Sequence, residues 1–400
     1  MVKLKKLYKK QPLIVIICIL AFISCFAILS AAPMISKKVG NPDTIWLKQL
    51  VFYLISSVII YIIYKVGNDQ IFDKIWWIYY FLLFLLFILA VEHFIYTRIW
   101  PGHHLIPIVK TAGGATSWFM LPFFQLQPSE FMKIVMVIVL AKVTQEYNDY
   151  YLVRTFETEV RYILKCVGIV MAPAILVYLE NDAGVVLIML VGLFFVLFSS
   201  GLRKQWFVFG FSCIAAIIVI GGYLFLYQPQ IFSSIMTGHK LDRFYGWFDP
   251  EGTVLNQGFQ LFYSQLSYGT AGWLGHGFQS VIMQFPEPQT DFIFAVIVTC
   301  FGFVGGIATI LAVVALDVTI LKIGLETSHD RDKYMIMGFI GMLLFQQVWN
   351  IGMILGLLPI TGITLPFISY GGSSLLSYMI CIAMLIDINS QNNILKDKSL

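Results

Sequence analysis

The chain has 400 residues, of which 59% are hydrophobic and only 12% charged, with a formal net charge of +4. A soluble domain is about 45–50% apolar and about 25% charged, so this composition excludes an ordinary water-soluble fold. The net charge is small and says little about partners. The sequence shows no basic run or aromatic platform of the kind that binds nucleic acid. We therefore expect no nucleic-acid partner and an all-α integral membrane protein.

Ten segments are apolar and long enough to cross a bilayer, since a transmembrane helix needs about 20 mostly apolar residues. The fifth and sixth are separated only by Asn181 and Asp182, which predicts a tight hairpin. The predicted spans are 12–32, 46–65, 75–95, 129–145, 162–180, 183–200, 205–227, 291–321, 334–358 and 366–388.

Lys and Arg residues are concentrated in the connections that lie on the same side as the N-terminus. Because cytoplasmic loops are enriched in these residues, the pattern predicts that both termini are cytoplasmic. The first apolar run, of about 20 residues, is longer than the 7–15-residue core of a secretory signal, so we interpret it as an uncleaved helix. The chain is thus predicted to be a single multi-pass domain in a cell membrane.

Two outer connections are predicted to be functional. Residues 96–128 include an apolar piece, 118–127, that is too short to span and is expected to lie in the interface or to re-enter. Residues 228–290 form the longest connection, and loops of that length usually serve a function. This large outer loop, between the seventh and eighth helices, is rich in Gly, Gln, Tyr and Phe, which indicates an ordered, partly buried lid.

Ionisable residues inside a membrane are costly and mark a pair or a function. Glu130 and Lys133 are three apart in one predicted helix and therefore share a face. They either form a structural ion pair, or Lys133 faces a cavity that receives an anionic headgroup. Asp182 precedes the sixth helix, where an aspartate favours capping of the helix N-terminus.

Asp291 precedes four apolar residues, at the point where water meets lipid. It is either a helix cap or a carboxylate whose pKa is raised by desolvation into the range of a general base. Arg243 is a cation in a loop with few charges. It is either an ordinary exposed cation or a phosphate ligand, since the guanidinium suits bidentate phosphate recognition.

Polar and glycine-rich positions occur in the last two spans. Asn350 is expected to hydrogen-bond between helices, as membrane-buried amides do. Residues 369–374 contain the adjacent glycines Gly371 and Gly372, which disfavour a regular helix and predict a break that lines a cavity. The six cysteines lie in apolar stretches without a C-x-x-C spacing, which argues against a disulfide framework or zinc site.

These motifs, in this order, resemble the SEDS family of cell-wall glycan polymerases, which includes the RodA, FtsW and SpoVE branches. The likeness covers nearly the whole chain, and its last block is the most specific. The motifs that carry it are Gly113-Gly114-Ala115, Trp118, Gln127-Pro128-Ser129-Glu130, Lys133, Arg243, Asp249-Pro250, Gln257-Gly258-Phe259-Gln260, Pro286-Glu287, Thr290-Asp291-Phe292, Asn350-Ile351-Gly352 and Leu365-Pro366-Phe367-Ile368-Ser369-Tyr370-Gly371-Gly372-Ser373-Ser374. Thr361-Gly362 is most similar to the RodA branch.

The resemblance implies a peptidoglycan glycosyltransferase that polymerises lipid II, with Asp291 as the catalytic residue. It implies a class B penicillin-binding protein, a transpeptidase, as partner, and a divalent cation, Mg²⁺ or Mn²⁺, as cofactor. Asp182, Trp118 and Asn350 are expected to be structural or capping residues. The residues expected to bind substrate on the outer face are Arg243, Lys133, Glu130, Gln260, Ser369, Gly371, Gly372 and Ser373.

Three places differ from the family pattern. Asn181-Asp182-Ala183-Gly184-Val185 stands where the family usually has Pro-Asp-x-Gly-Thr, Thr299-Cys300 replaces paired glutamates, and Gln289 replaces a histidine. Two other functions stay open: a lipid II flippase or transporter, and a non-catalytic scaffold for a transpeptidase. Clustering of the ionisable residues at the outer edge argues against a transporter, whose site usually lies at the midplane.

Overall fold

The computed structural model describes residues 11–35, 41–112, 114–122, 124–235, 238–256 and 258–399. The basic segment 1–10 and the motif residues Gly113 and Gln257 lie outside the described residues. In the described part the chain forms thirteen α-helices and one small sheet. The helices are α1 Pro12–Ala31, α2 Ile45–Val66, α3 Asn68–Phe94, α4 Pro128–Tyr150, α5 Phe156–Leu179, α6 Ala183–Ser199, α7 Lys204–Tyr227, α8 Pro229–Ile235, α9 His239–Phe248, α10 Phe259–Gly269, α11 Ile293–Glu326, α12 Asp330–Ile354 and α13 Gly372–Ser399.

Each predicted span contains a long helix. Among the described residues, eight helical segments are long and apolar enough to cross a membrane. The other two predicted spans correspond to α4 and to α6, which is a shorter apolar helix of 17 residues. The membrane-protein fold is therefore established, and the number of ten crossings stays a prediction.

Burial divides the bundle into a centre and a periphery. Helices α4, α12 and α13 are buried along most of their length, whereas no residue of α7 is buried. Helix α13 packs on α2, α12 on α6, and α11 on α1. Apolar side chains that are exposed on the outer helices, such as Phe22, Phe211 and Ile217, face the surroundings. That pattern suits a bundle whose solvent is lipid.

Three sequence predictions need correction. Residues 118–127 do not lie as an apolar re-entrant piece: they overlap strands β2 Ala115–Met120 and β3 Gln125–Leu126, which form an antiparallel sheet with β1 Val109–Ala112. The all-α assignment thus omits a small sheet. The ninth helix ends at Ile354 and the tenth begins at Gly372, so 355–358 and 366–371 are not helical. The described part of the large outer loop 228–290 contains three helices, α8 to α10, which suits the ordered segment expected there.

The break in a long helix also lies elsewhere than predicted. Gly302 interrupts α11 with φ 64° and ψ −161°. Backbone amides of the outer loop bond to the carbonyls freed there: His276 N–H donates to Thr299 O at 2.9 Å, and Gly277 N–H to Cys300 O at 3.0 Å. In the segment 369–374, where the break was expected, residues 369–371 lead into α13 and residues 372–374 are its first residues.

Candidate functional site

The predicted site residues converge at one end of the bundle, where α4, α6, α11 and α13 begin and α12 ends. Asn350 connects three of these segments, because its Nδ2 donates to Asp291 O at 2.8 Å and to Ile363 O at 2.7 Å. Ser369 donates to Thr290 O at 2.6 Å. These bonds fix the backbone on either side of Asp291.

Asp291 is not a helix cap. Helix α11 begins at Ile293, its N-cap residue is Phe292, and no side chain caps it. Among the described residues, the Asp291 carboxylate has neither an ion pair nor a side-chain hydrogen bond, and it is only partly buried. Such a carboxylate is free to accept a proton from a substrate.

Arg243 and Asp291 face the same small space beside Gly362. A Cβ built on Gly362 would lie 3.4 Å from Asp291 Oδ2 and 3.5 Å from Arg243 NH1. Arg243 NH1 also donates to Thr361 O at 3.1 Å, which holds the guanidinium of α9 against the 359–365 segment. The outer loop therefore places the Arg243 guanidinium next to the Asp291 carboxylate, although the two groups form no direct ion pair.

Electrostatics raise the pKa of Asp291 to about 7. Burial is the largest cause, the negative charge of Glu287 adds to it, Arg243 opposes it, and Asp182 adds a smaller contribution. A carboxylate poised near neutral pH has the proton affinity that general-base catalysis favours.

Asp182 lies close to this pair. It caps α6, accepting from Val185 N–H at 3.2 Å, and Gln127 Nε2 donates to its Oδ2 at 2.9 Å. Burial is the main reason that its pKa is raised to about 6, and Arg243 is among the charges that oppose the rise. Glu180, which is fully buried just before it, has its pKa raised well above normal by burial and then by the charge of Asp182.

Glu130 and Lys133 form an ion pair of 2.8 Å on α4. Lys133 is fully buried, and its Nζ also lies 4.5 Å from the centre of the Tyr378 ring. The hypothesis that Lys133 faces an open cavity does not fit this burial. Its positive charge instead lowers the pKa of the nearby Asp182 carboxylate.

The other predicted substrate ligands build the site rather than line it. Gln260 Nε2 donates to Pro286 O at 3.0 Å, and Ser373 donates to Gln125 O at 2.6 Å. Gly371 N–H donates to Gln49 Oε1 at 3.3 Å, and a Cβ on Gly372 would meet the Phe52 ring at 2.8 Å. Their polar groups and close contacts are already used within the protein.

Sequence reasoning did not single out Gln127, Glu287 or Gly362 as site residues. Glu287 has a positive φ of 53° and accepts from Thr290 Oγ1 and Gln289 Nε2, at 2.9 and 3.1 Å. All three belong to motifs quoted above, Gln127-Pro128-Ser129-Glu130, Pro286-Glu287 and Thr361-Gly362, so membership of those motifs was the available signal.

The departures from the family pattern have simple local structures. Thr299 donates to Ala295 O at 2.8 Å, and Cys300 is fully buried, so no acidic side chain lies at the break in α11. Asn181 takes a positive φ of 69° and donates to Gly114 O at 3.1 Å, which connects the hairpin to the residue just before β2.

A divalent cation was tested against these side chains. No group of three His, Cys, Asp or Glu side chains in the described residues is arranged to hold a metal ion. The cation stays a prediction.

Comparison with known proteins gives a consistent result. The family model for FtsW, RodA and SpoVE, described as "Cell cycle protein", matches residues 10–394. Stage V sporulation protein E of Bacillus subtilis is 32% identical over 71% of this chain and 74% of its own length. The probable peptidoglycan glycosyltransferase FtsW of Coxiella burnetii is 28% identical over 94% of this chain and 95% of its own length.

Solved structures match the fold. A chain from "Structural coordination of polymerization and crosslinking by a peptidoglycan synthase complex" has a TM-score of 0.74 at 24% identity, covering 96% of this chain and 98% of that one. The rod shape determining protein RodA of Thermus thermophilus has a TM-score of 0.65 at 21% identity, covering 96% and 97%.

Proposed function

This chain belongs to the family of FtsW, RodA and SpoVE proteins, and from that premise we propose that it is a peptidoglycan glycosyltransferase that polymerises lipid II. The observation that carries the proposal is the unpaired Asp291 carboxylate, with a pKa of about 7, facing Arg243 across Gly362. A proton acceptor next to a fixed cation is what glycosyl transfer from a diphosphate requires.

The proposed reaction joins two lipid-linked sugars. Asp291 accepts the proton of the 4-hydroxyl of the acceptor GlcNAc as that oxygen forms a bond to the anomeric carbon of the donor. The bond from that carbon to the diphosphate breaks, and undecaprenyl diphosphate leaves with the electron pair. Arg243 lies where it can offset the charge that develops on the leaving group.

Lys133 and Asp182 act from further away. Lys133 and Arg243 both favour the ionised form of the Asp182 carboxylate, whereas Glu130 disfavours it. A divalent cation, Mg²⁺ or Mn²⁺, would supply further charge neutralisation when bound with the diphosphate. No step above depends on it.

Three finer statements are part of the proposal. The site lies on the outer face of the cell membrane, with both termini cytoplasmic, because Lys and Arg are concentrated at the opposite end. The partner is a class B penicillin-binding protein, which fits the polymerisation and crosslinking named for one structural neighbour. Assignment to the RodA branch rests on Thr361-Gly362 alone.

A flippase is the second candidate. The ionisable residues around Asp291 lie at one end of the bundle, which favours a membrane-surface reaction over transport. One carboxyl lies deeper: Asp317 of α11 is buried and accepts from Gln347 Nε2 at 3.1 Å. A vesicle assay that follows fluorescent lipid II across the bilayer tests this candidate, and flipping without polymerisation would favour it.

Polymerisation of lipid II by the purified protein with its transpeptidase tests the main proposal. We expect glycan strands from the wild type, none from Asp291→Asn, and normal strands from Asp43→Asn, a control that removes an exposed carboxylate. The wild type and both variants should first be shown to be folded, by a cooperative melting transition. Strands from Asp291→Asn would exclude Asp291 as the base, and no strands from folded wild type would favour the scaffold or flippase.

A further inference from the structure

Gln127, the residue just before α4, is bonded to three separate elements. Its backbone N–H donates to Ser373 Oγ of α13 at 3.0 Å. Its side-chain Oε1 accepts from Trp118 Nε1 of β2 at 3.2 Å, and its Nε2 donates to Asp182 Oδ2 at 2.9 Å. Gln127 therefore joins the sheet, α13 and the start of α6 at one point.

The orientation of the Gln127 side-chain amide follows from which of its partners can donate a hydrogen bond. The indole N–H can only donate, so the amide oxygen of Gln127 must face Trp118. The amide nitrogen is then left facing Asp182, where it donates to the carboxylate. Trp118 itself is held by its pairing with Lys110 in β1, so the amide cannot reverse without losing both bonds.

Asp182 is held by two donors in consequence. Val185 N–H fixes one carboxylate oxygen and Gln127 fixes the other. Donors to a carboxylate favour its ionised form, and here they oppose the burial that disfavours it.

Five charged or ionisable groups surround this carboxylate. They are Glu180 on the preceding helix end, Glu130 and Lys133 on α4, Arg243 on α9 and Asp291 before α11. Of these, Lys133 and Arg243 favour the negative charge of Asp182, and the three carboxyl groups disfavour it. Burial and the negative charge of Glu130 outweigh the opposing contributions, since the pKa of Asp182 is raised to about 6.

We propose that Gln127 is a positioning residue for the transfer reaction, one that orients the Asp182 carboxylate beside Arg243. This rests on the proposed function, because it assigns Gln127 a role in that reaction. Gln127 touches neither reacting group directly and acts only through Asp182.

The first test removes the amide. Gln127→Leu keeps much of the volume and loses both side-chain bonds. A hydrogen bond to a charged group contributes about 1.5–3 kcal/mol, so we expect the rate of lipid II polymerisation to fall about tenfold to a hundredfold. Gln145→Leu, at the opposite end of α4, is the matched control and should keep the wild-type rate. Wild-type activity in Gln127→Leu would overturn the proposal.

The second test asks whether Gln127 acts through Asp182. In an Asp182→Asn background, adding Gln127→Leu should lower the rate no further, because the carboxylate it serves is gone. Two independent losses that multiply would show that Gln127 acts elsewhere, and the proposal would fail.

The third test separates positioning from mere structure. Gln127→Glu places two carboxylates together and should lower the melting temperature. Adding Asp182→Asn reverses the polarity of the pair, since the new amide can donate to the new carboxylate, and should restore the melting temperature but not polymerisation. Recovery of both would mean a purely structural role and would overturn the proposal.

These melting temperatures also distinguish a failure of the proposed function from a failure of the Gln127 proposal. If folded wild type makes no glycan, the proposed function fails. The pair is then judged by stability alone: restored stability in the double variant supports the Gln127–Asp182 contact, and no restoration rejects it.

Discussion

Asp291 and Arg243 lie on either side of a glycine that has no side chain to separate them: the ideal Cβ position of Gly362 is 3.4 Å from the carboxylate and 3.5 Å from the guanidinium. The backbone of Gly362 has φ +75°, a conformation that costs other residues about 1–2 kcal/mol. A glycine is therefore required here both by its backbone and by the space it leaves open.

Gly362→Ala should abolish most polymerisation, because a methyl group would occupy the space between the base and the cation. Gly67→Ala is the control for backbone strain, since Gly67 has a similar φ of +83° and nothing within 4 Å of its Cβ position. Both variants should lose stability from backbone strain, on the order of 1–2 kcal/mol. Only Gly362→Ala should lose activity; equal activity in the two would show that the gap is not used.

The pH dependence follows from the raised pKa of Asp291. A general base works when deprotonated, so the rate of polymerisation should rise with pH through about 7 and level off above it. The rate measured from pH 5 to 9, with substrate saturating, checks this. A rate already maximal at pH 5 would contradict it.

Stability should change in the opposite direction. The folded protein holds the Asp291 proton up to about pH 7, whereas the unfolded chain releases it near the ordinary 3.8. The folded state thus binds more protons between these values, and its stability falls as pH rises through that window. Asp291→Asn removes this loss, so its melting temperature should exceed that of the wild type at pH 8 by more than at pH 5.

The sequence predicts much of this fold because the bilayer limits the possibilities. Apolar length alone located the eight helical segments that are long enough to cross a membrane, and the spacing of Glu130 and Lys133 gave their ion pair as one of two interpretations. Tertiary contacts decide the rest. No local pattern predicts that Gly302 packs against the backbone of Gly275. The hydroxyl groups of Ser369 and Ser373 could not be recognised as hydrogen-bonded within the protein until their partners were known.

Arg243→Gln tests the proposed recognition of the diphosphate. The amide is neutral and loses the bidentate geometry, so we expect kcat/KM for lipid II to fall at least about tenfold. Arg243→Lys keeps the charge and should recover only part of this loss. Arg98→Gln removes another cation, at the end of α3, and should leave polymerisation unchanged. An equal effect of Arg98→Gln would point to general surface charge.

Gly302→Ala tests how the outer loop is held. The added Cβ would lie 2.4 Å from backbone atoms of Trp273 and Gly275, and φ +64° is itself unfavourable for alanine. Because both contacts are with backbone, neither side can move aside cheaply, and the loop should separate from α11. Gly168→Ala, in α5 with nothing within 4 Å, should be neutral or slightly stabilising.

Limited proteolysis of the outer loop distinguishes the outcomes for Gly302→Ala. Separation should expose the bonds around residues 270–283 to protease while the helices stay folded, and polymerisation should fall as Arg243, on the same connection, loses its place. The wild type and Gly168→Ala should be cleaved slowly. If Gly302→Ala is cleaved as slowly as the wild type and still polymerises, the four backbone hydrogen bonds at the break, from His276, Gly277, Phe303 and Val304, do not hold the loop that carries Arg243.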